Sequence, residues 1–465
     1  GGGSGDGGGG HVASALVTGR GASFWTSEAE AATEACDGPL ESGESGCRGR
    51  EVPHEGAVLI TGATGFLGPH LLEALVAEPS LAGLTLICLI RPPLERMRIP
   101  PGSASRVVCF AADLNSTDLG VSPADRAAIQ RAGVVLIVHN GATVDHTRSY
   151  SQLKAANVLA ADALVALTTP LACAGRPPPA MLLVSSLSAV AISDVREELE
   201  CTPPSRVDLL GGYGQSKWVS ERRLARAVGA GKLSSLCLAR LGLVGPHSVS
   251  GEANLQDWLH LLLRAIVAIQ AVPSLSDAGH SVDLLPVDTA AAVLARLSAR
   301  ALHSGRAAAV PSRSAGSAQV KEGATTIDVV HLDAETLGLR AVRLMDTLVA
   351  AIDARCGAKL TRLVPYSRWR ETLRAAGGAA EVALAVLPLP TTAEDGGMLR
   401  LPRGERIGLH RARGKAFVKS AGVVAPELTA GAGASVWLRW ADRVVRSISD
   451  VEQQQGFRGR ALELS

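Results

Sequence analysis

Short apolar runs alternate with amphipathic segments through the middle of the chain, starting near residue 57. The apolar runs predict β-strands at Ala57 to Thr61, Leu84 to Ile90, Arg106 to Phe110, Val134 to His139 and Met181 to Ser185. The fourth run is apolar almost throughout, which is typical of a strand buried on both faces of a parallel sheet. Strands alternating with helices predict an α/β fold of the Rossmann type, a doubly wound parallel sheet.

Helical spacing of apolar residues predicts helices at about 67–77, 150–167, 254–272, 344–354 and 369–376. The last three of these indicate a smaller, mainly helical C-terminal lobe that binds substrate. We therefore expect a Gly-rich, disordered N-terminal region at 1–55 with one short helix near Phe24, a nucleotide-binding domain at 56–245 and a substrate lobe at 246–465. The last ninety or so residues are only loosely assigned.

Composition excludes several classes of function. Hydrophobic residues make up 47% of the chain and charged residues 19%, which indicates a globular protein. The formal net charge of +2 gives no reason to expect nucleic acid or an anionic membrane as partner, and no apolar run reaches the ~18 residues of a membrane span. The eight cysteines form no C-x-x-C pair, so we expect reduced thiols, no metal site and a cytoplasmic location.

Three glycines in the spacing G-x-x-G-x-x-G join the first strand to the first helix. In such a loop Gly62 allows a tight turn, Gly65 lets a pyrophosphate approach the backbone, and Gly68 lets the helix pack closely on the strand. The helix N-terminus that follows favours an anion. A glycine-rich loop in some other α/β protein is the alternative.

Side chains at the ends of the next strands suggest which dinucleotide binds. Arg91 stands where an Asp or Glu would hold the ribose of NAD, so it favours the 2′-phosphate of NADPH. Arg96 and Arg98 are either further phosphate ligands or solvated loop residues. Asp113-Leu114 is placed to meet the adenine, and the small residues of Asn140-Gly141-Ala142 let the cofactor lie against the backbone.

A serine pair, Ser185-Ser186, ends the fifth strand at the sheet edge where open α/β sheets place their chemistry. Downstream, Tyr213 and Lys217 are four residues apart and share one helix face. A neighbouring ammonium favours the phenolate, so Lys217 is expected to lower the pKa of Tyr213. Tyr213 would then donate a proton to a carbonyl oxygen as hydride arrives, and Lys217 would also hold the nicotinamide ribose.

The chain resembles the extended short-chain dehydrogenase/reductases. Within them it is similar to the thioester reductase domains that end non-ribosomal peptide synthetases, polyketide synthases and carboxylic acid reductases. The supporting segments, in the family's order, are Thr61-Gly62-Ala63-Thr64-Gly65-Phe66-Leu67-Gly68, His139-Asn140-Gly141-Ala142, Leu153-Lys154-Ala155-Ala156-Asn157-Val158, Gly211-Gly212-Tyr213-Gly214-Gln215-Ser216-Lys217-Trp218-Val219-Ser220-Glu221-Arg222, Asp283-Leu284-Leu285-Pro286-Val287-Asp288 and Pro365-Tyr366-Ser367-Arg368-Trp369. The fourth segment is the most specific, and separates this group from fatty acyl-CoA reductases of the male-sterility type.

That resemblance implies an NADPH-dependent enzyme that releases an acyl chain from a phosphopantetheinyl carrier protein or coenzyme A as an aldehyde, with alcohol as a further product. It implies a catalytic triad of Ser186, Tyr213 and Lys217. It also implies a cofactor site built from the following residues: Thr61, Gly62, Thr64, Gly65, Phe66, Leu67, Gly68, Arg91, Asp113, Leu114, Asn140, Gly141, Ala142, Asn157, Tyr213 and Lys217.

The chain departs from the family pattern in four places. The link from Arg91 to the third strand is short, and Arg240-Leu241-Gly242 replaces an Arg-Pro-Gly turn. Residues 301–326 have no predicted place, and residues 376–465 match only loosely. Two alternatives stay open at this point: a sugar-nucleotide epimerase or 3β-hydroxysteroid-type dehydrogenase of the same fold, and a non-catalytic NADP-binding protein. The sequence also leaves open whether this is a free-standing protein or the terminal domain of a larger synthase.

Overall fold

The computed structural model describes residues 20–31, 56–173, 176–190, 202, 204–269, 271–273, 284–308, 327–333 and 363–376, with positions 350, 354, 419, 439–440, 442–443 and 446. Its strands are β1 (Ala57–Thr61), β2 (Thr85–Ile90), β3 (Val107–Ala111), β4 (Val134–His139), β5 (Ala180–Ser186), β6 (Ser235–Leu241), β7 (Leu243–Gly245), β8 (Val272–Pro273), β9 (Leu284–Pro286), β10 (Ile327–Leu332) and β11 (Leu363–Val364). Its α-helices are α1 (Gly21–Glu30), α2 (Gly68–Ala77), α3 (Pro123–Arg131), α4 (Tyr150–Lys154), α5 (Ala160–Cys173), α6 (Gly212–Gly229), α7 (Trp258–Ile269), α8 (Val287–Ala308) and α9 (Tyr366–Ala376).

Seven strands form one parallel sheet in the order β10-β6-β5-β4-β1-β2-β3. The chain starts in the middle at β1, builds outward to β3, and then returns to place β4 on the other side of β1. The strand order therefore reverses between β1 and β4, which is where open α/β sheets leave a crevice for a ligand. The expected doubly wound Rossmann-type sheet is confirmed.

Alternate residues of the strands point into two apolar layers. Val58 and Ile60 of β1 pack with residues of α2 and α8 on one face. Leu59 lies in the other layer, with Ile129 of α3 and residues of α5 and α6. β1 and β2 are buried at every position, as expected for strands covered on both faces.

Two segments from the C-terminal half of the chain return to this sheet. Helix α8 packs on α2 and on β4, β5 and β6, and β10 extends the sheet beyond β6. The sequence predicted that residues 246–465 form a separate lobe, and the structure corrects that boundary for two segments. Residues 287–308 and 327–332 belong to the first domain because their apolar faces complete its core.

The smaller lobe consists of α7, α9 and two short parallel pairs, β7 with β9 and β8 with β11. Trp369 of α9 is fully buried and donates a hydrogen bond from Nε1 to the carbonyl oxygen of Ala271 at 2.9 Å. Of the predicted helix at 344–354, only positions 350 and 354 lie within the described residues. In the described part of the chain, no helix combines the length and apolar character needed to cross a bilayer.

Helix α1 lies in the segment that the sequence assigned to a disordered N-terminal region. The Nε1 of its buried Trp25 donates a hydrogen bond to Oδ1 of Asp208 at 2.8 Å, and the backbone amides of Arg20 and Gly21 donate to the same carboxylate. Glu28 accepts hydrogen bonds from the hydroxyl of Tyr150 and from Lys154. These residues therefore belong to the ordered part of the first domain, while residues 1–19 and 32–55 lie outside the described residues.

The predicted helix at 150–167 is one continuous segment with an inserted π-helical turn at Ala155–Leu159 between α4 and α5. Helix α7 begins at Trp258 rather than at Asn254, because Oδ1 of Asp257 accepts the backbone N–H of Leu259 at 2.9 Å and caps the first turn. Between β2 and β3, a single turn of 3₁₀ helix at Leu94–Arg96 occupies the link that the sequence indicated to be short.

Candidate active site

A cavity of about 550 Å³ opens at the carboxyl ends of the central strands. Its size is in the ordinary range for a site that takes a small molecule or cofactor. Fourteen residues predicted from the sequence line it: Gly62, Thr64, Gly65, Phe66, Leu67, Arg91, Asp113, Leu114, Asn140, Gly141, Ala142, Ser186, Tyr213 and Lys217. Residues that are far apart in the sequence thus meet around one space.

The glycine loop is shaped by close approaches between backbone segments. Gly62 has a positive φ of 72°, and a Cβ there would lie 2.6 Å from the backbone nitrogen of Gly141. A Cβ on Gly68 would lie 2.2 Å from the carbonyl oxygen of Gly62, so no side chain fits at the start of α2. A Cβ on Gly65 would meet only the Gly62 oxygen at 3.5 Å. Gly65 therefore presents open backbone to the cavity, as a pyrophosphate requires.

Three of the predicted cofactor residues do not line the cavity: Thr61, Gly68 and Asn157. The hydroxyl of Thr61 accepts the backbone N–H of Gly141 at 3.0 Å and is hydrogen-bonded to Nδ1 of His139 at 2.7 Å. Asn157 is buried, accepts the backbone N–H of Thr143 at 2.7 Å and donates to Oγ of Ser216 at 2.9 Å. Thr61 and Asn157 therefore do not line the cavity themselves, and their hydrogen bonds position Gly141 and Thr143, which do.

Arg91 directly follows β2, is exposed, and lines the cavity at the far side of the glycine loop. Arg96 and Arg98 are not among the lining residues, although both lie in the described part of the chain. Asp113 follows β3, and its Oδ1 accepts the backbone N–H of Asn115 at 3.0 Å. Among the described residues, a single guanidinium therefore stands at the end of the cavity where β2 terminates.

Ser186, Tyr213 and Lys217 meet at the opposite end, where β5 faces the first turns of α6. The side chains of Ser186 and Tyr213 both line this end of the cavity, and the Ser186 hydroxyl lies near enough to act on the pKa of Tyr213. Oγ of Ser186 also accepts the backbone N–H of Ser188 at 3.1 Å. Lys217 is buried; its Nζ donates to the carbonyl oxygen of Val184 at 3.0 Å and lies 5.9 Å from the centre of the Tyr213 ring.

The charge state of this group differs from the sequence-based expectation. Burial raises the pKa of Tyr213 well above its usual value, and the neighbouring Ser186 side chain only partly opposes that effect. The expectation that Lys217 lowers the pKa of Tyr213 is wrong for this arrangement, since the ammonium bonds to a backbone carbonyl instead of the phenol oxygen. Burial also lowers the pKa of Lys217 to about 8, against an opposing contribution from the Glu221 carboxylate.

Several lining residues escaped the sequence analysis. The ring of His146 meets that of Tyr213 edge-on, with centroids 5.1 Å apart, and burial lowers the His146 pKa. Asp257 and Asp333 also line the cavity, and burial raises the pKa of Asp257 to about 6. His146 lies in an irregular loop, and Asp333 follows β10, which the sequence analysis did not identify. The sequence indicated His146 and Asp333 only through their positions, since both follow strands of the parallel sheet at its carboxyl edge.

The family model described as male sterility protein, an NAD-binding family, matches residues 60–294, about half of the chain. The chain belongs to this family. The matched residues run from β1 into α8 and include the glycine loop, Ser186, Tyr213 and Lys217. Membership confirms an NAD(P)-binding domain and the resemblance to extended short-chain reductases, and it does not separate male-sterility proteins from the reductase domains of synthetases.

Curated relatives point to those synthetases. The isonitrile lipopeptide synthase of Streptomyces coeruleorubidus is 35% identical over 257 residues, which cover 52% of this chain and 16% of that protein. The chain therefore corresponds to a small part of the length of this relative. The similarity to domains of such synthetases inferred from the sequence is confirmed by this match.

Two solved structures share the fold. The terminal R domain from the myxalamid PKS-NRPS biosynthetic pathway aligns with a TM-score of 0.63 and 22% identity, covering 92% of this chain and 98% of that one. A thiolation-reductase di-domain from an archaeal non-ribosomal peptide synthetase aligns with a TM-score of 0.60 and 17% identity, covering 84% and 75%. At sequence identities of 22% and 17%, these two matches establish the fold of the chain and nothing further.

Proposed function

We propose that this protein is an NADPH-dependent thioester reductase that releases an acyl chain as an aldehyde. The observation that carries the proposal is the convergence of Ser186, Tyr213 and Lys217 on the cavity that the glycine loop also lines. This brings a hydroxyl pair and an ammonium to one end of a dinucleotide-sized crevice. The synthetase relatives favour a thioester over a sugar nucleotide or a steroid as the substrate.

The choice of NADPH over NADH rests on Arg91. Its guanidinium is placed at the end of β2, where a carboxylate would be needed to accept a hydrogen bond from the ribose of NAD. A guanidinium instead pairs with the 2′-phosphate of NADP through charge-assisted hydrogen bonds. Gly62, Gly65 and the first turn of α2 would hold the pyrophosphate, because the backbone there is open and the helix dipole favours an anion.

The bound nicotinamide would supply a hydride. The hydroxyls of Ser186 and Tyr213 would donate hydrogen bonds to the thioester oxygen and stabilise the negative charge that develops on it. The high pKa of Tyr213 keeps the phenol protonated at neutral pH, so its proton is present for transfer to the basic oxygen that forms as hydride arrives. Lys217 would hold the nicotinamide ribose. The hemithioacetal then collapses to an aldehyde and a free thiol.

The thioester would be presented by the phosphopantetheine arm of a carrier protein or by coenzyme A. One of the structural neighbours is itself a thiolation domain joined to a reductase domain. The arm would enter past the smaller lobe, where Val244, Asn254 and Asp257 line the cavity. A second hydride transfer on the released aldehyde would give an alcohol at the same site.

A direct test is NADPH oxidation followed by absorbance, with octanoyl-coenzyme A, free octanoic acid, a nucleotide sugar and a 3-ketosteroid tested separately. We expect turnover with the thioester alone, because the sequence contains no motif that would activate a free acid as an adenylate. Turnover of the free acid without an activating partner would contradict the assignment. Binding of NADPH without turnover of any carbonyl compound would favour a non-catalytic binding protein instead.

A further inference from the structure

A buried ion pair lies directly behind the catalytic group. Glu221 is on α6, four residues beyond Lys217 and so on the same helix face. Arg240 of β6 holds it at two points, with Nε donating to Oε1 at 3.0 Å and Nη2 to Oε2 at 2.6 Å. Both side chains are almost completely buried. A two-point pair of this kind fixes orientation as well as distance.

The Glu221 carboxylate also contacts β5, the strand that carries Ser186, the proposed oxyanion donor. Oγ of Ser185 donates to Oε1 of Glu221 at 2.5 Å, and Ser185 immediately precedes Ser186. On the far side, Nη1 of Arg240 is 3.3 Å from Nε2 of the buried His331 on β10. Glu221 therefore joins the catalytic helix to the ends of β5 and β6 in one network, and Arg240 links that network to β10.

Several charged or titratable groups surround Lys217. Tyr213 and Glu221 share its helix, and Arg240 and His331 stand on the neighbouring strands. On β4, His139 is completely buried, and its pKa is lowered to about 3 by burial and by the charge of Lys217. Among the influences on Lys217, burial disfavours the ammonium and the Glu221 carboxylate favours it. Glu221 is thus the neighbour that opposes loss of the lysine's charge.

We propose that Glu221 is a positioning residue for the reaction, which keeps Lys217 charged and locks the Tyr213 face of α6 against the end of β5. This proposal rests on the proposed function, because it assigns Glu221 its role through the catalytic residues. The competing explanation is that the pair only stabilises the packing of helix on sheet.

The chain offers a matched control for that explanation. Arg223, also on α6, forms a second buried ion pair with Asp162 of α5, with Nε and Nη2 at 2.8 and 2.6 Å from Oδ2. Neither residue lines the cavity, and Lys217 and Tyr213 are not among their partners. Asp162→Asn should therefore reproduce the structural cost of breaking a buried pair on this helix without changing the charge around Lys217.

The experiment is the pH profile of single-turnover NADPH oxidation with octanoyl-coenzyme A. The alkaline limb of this profile is the pH range in which activity falls as Lys217 loses its proton. In Glu221→Gln, we expect this limb to move to lower pH by about one unit, because the carboxylate that favours the Lys217 ammonium has been removed. Glu221→Asp keeps the charge and should keep the limb near that of the parent, even if its rate is lower. Asp162→Asn should leave the limb in place. An unmoved limb in a folded Glu221→Gln protein would overturn the proposal, and so would an equal movement in Asp162→Asn.

A second variant covers the case in which Glu221→Gln fails to fold because Arg240 is left unpaired. The double variant Glu221→Gln/Arg240→Gln removes both charges and should displace the limb in the same direction by a smaller amount, because loss of the Arg240 charge favours the Lys217 ammonium. Loss of folding in both proteins would assign the pair to structure and reject the proposal.

NADPH binding measured by fluorescence across the same pH range gives a readout independent of turnover. A parent protein with no thioester activity would reject the proposed function, while the binding profiles would still decide the role of Glu221.

Discussion

Ser186, at the end of β5, lies beside Tyr213 of the first turn of α6, and its side chain acts to lower the pKa of the buried phenol. Both hydroxyl-bearing side chains line the same cavity. Tyr213 is almost completely buried, so its hydroxyl has little access to water in competition with a substrate oxygen. The proposed chemistry depends on this pair, and the first two predictions separate the two members.

Replacement of Tyr213 by Phe should slow thioester reduction by roughly 10²–10⁴-fold, the usual contribution of a positioned proton donor. The ring and its contact with His146 remain, so the fold and NADPH binding should persist. Single-turnover NADPH oxidation and NADPH fluorescence titration, run on the same preparation, check both parts. If the variant binds NADPH and reduces the thioester at the parent rate, the proton comes from another group.

Replacement of Ser186 by Ala should reduce the rate by about 10²–10³-fold, the effect of removing one oxyanion donor. NADPH affinity should change little, because Ser186 lies at the reacting end of the cavity. Ser188→Ala is the matched control, since Ser188 contacts Ser186 through its backbone N–H and not its hydroxyl. Equal losses in the two variants would mean that the loop as a whole matters, and not the Ser186 hydroxyl.

Arg91→Ala should weaken NADPH binding by roughly 10- to 100-fold, the equivalent of about 1.5–3 kcal/mol for a hydrogen bond to a charged group. NADH binding should be nearly unchanged, because NADH lacks the 2′-phosphate. Arg96→Ala serves as the control, as Arg96 does not line the cavity. Equal affinities of the unmodified protein for the two cofactors would contradict the assignment of Arg91.

The rate of reduction should fall as the pH rises through about 8, because Lys217 has a pKa of about 8 and acts in its charged form. Burial has lowered this pKa from about 10.4 in the unfolded chain. Between these two values the unfolded state binds the extra proton, so this group makes the free energy of unfolding increase with pH. Circular dichroism across pH 7–10 should therefore show an intact fold while activity declines. Activity that stays constant to pH 10 would exclude a required ammonium at Lys217.

Helix α1 should contribute to stability and to the placement of the catalytic helix. Its Trp25 packs against Tyr150 and bonds to Asp208, which lies just before α6. Trp25→Ala should lower the free energy of unfolding by about 3–5 kcal/mol, as expected for deleting a buried aromatic side chain. Glu30→Ala, at an exposed position of the same helix, is the control for thermal unfolding. An unchanged melting temperature in Trp25→Ala would show that α1 is not anchored in solution.

The sequence determined the class of fold and most of the site, because both depend on local patterns. Apolar runs alternating with helices specify a parallel sheet, and the three glycines specify the turn that starts α2. In such a sheet every strand ends at the same edge. Residues that follow strands, such as Arg91 and Ser186, could therefore be assigned to one cavity from their positions in the sequence.

Only the tertiary structure decided which elements complete the first domain and what charges the site holds. The return of α8 and β10 to the sheet depends on long-range packing that local periodicity does not record. The pKa of Tyr213 depends on burial and on Ser186. The pKa of Lys217 depends on burial and on Glu221, whose partner Arg240 lies on β6. Sequence spacing indicates that a lysine and a tyrosine share a helix face, but the energy of a charge depends on how much water and which neighbours surround it.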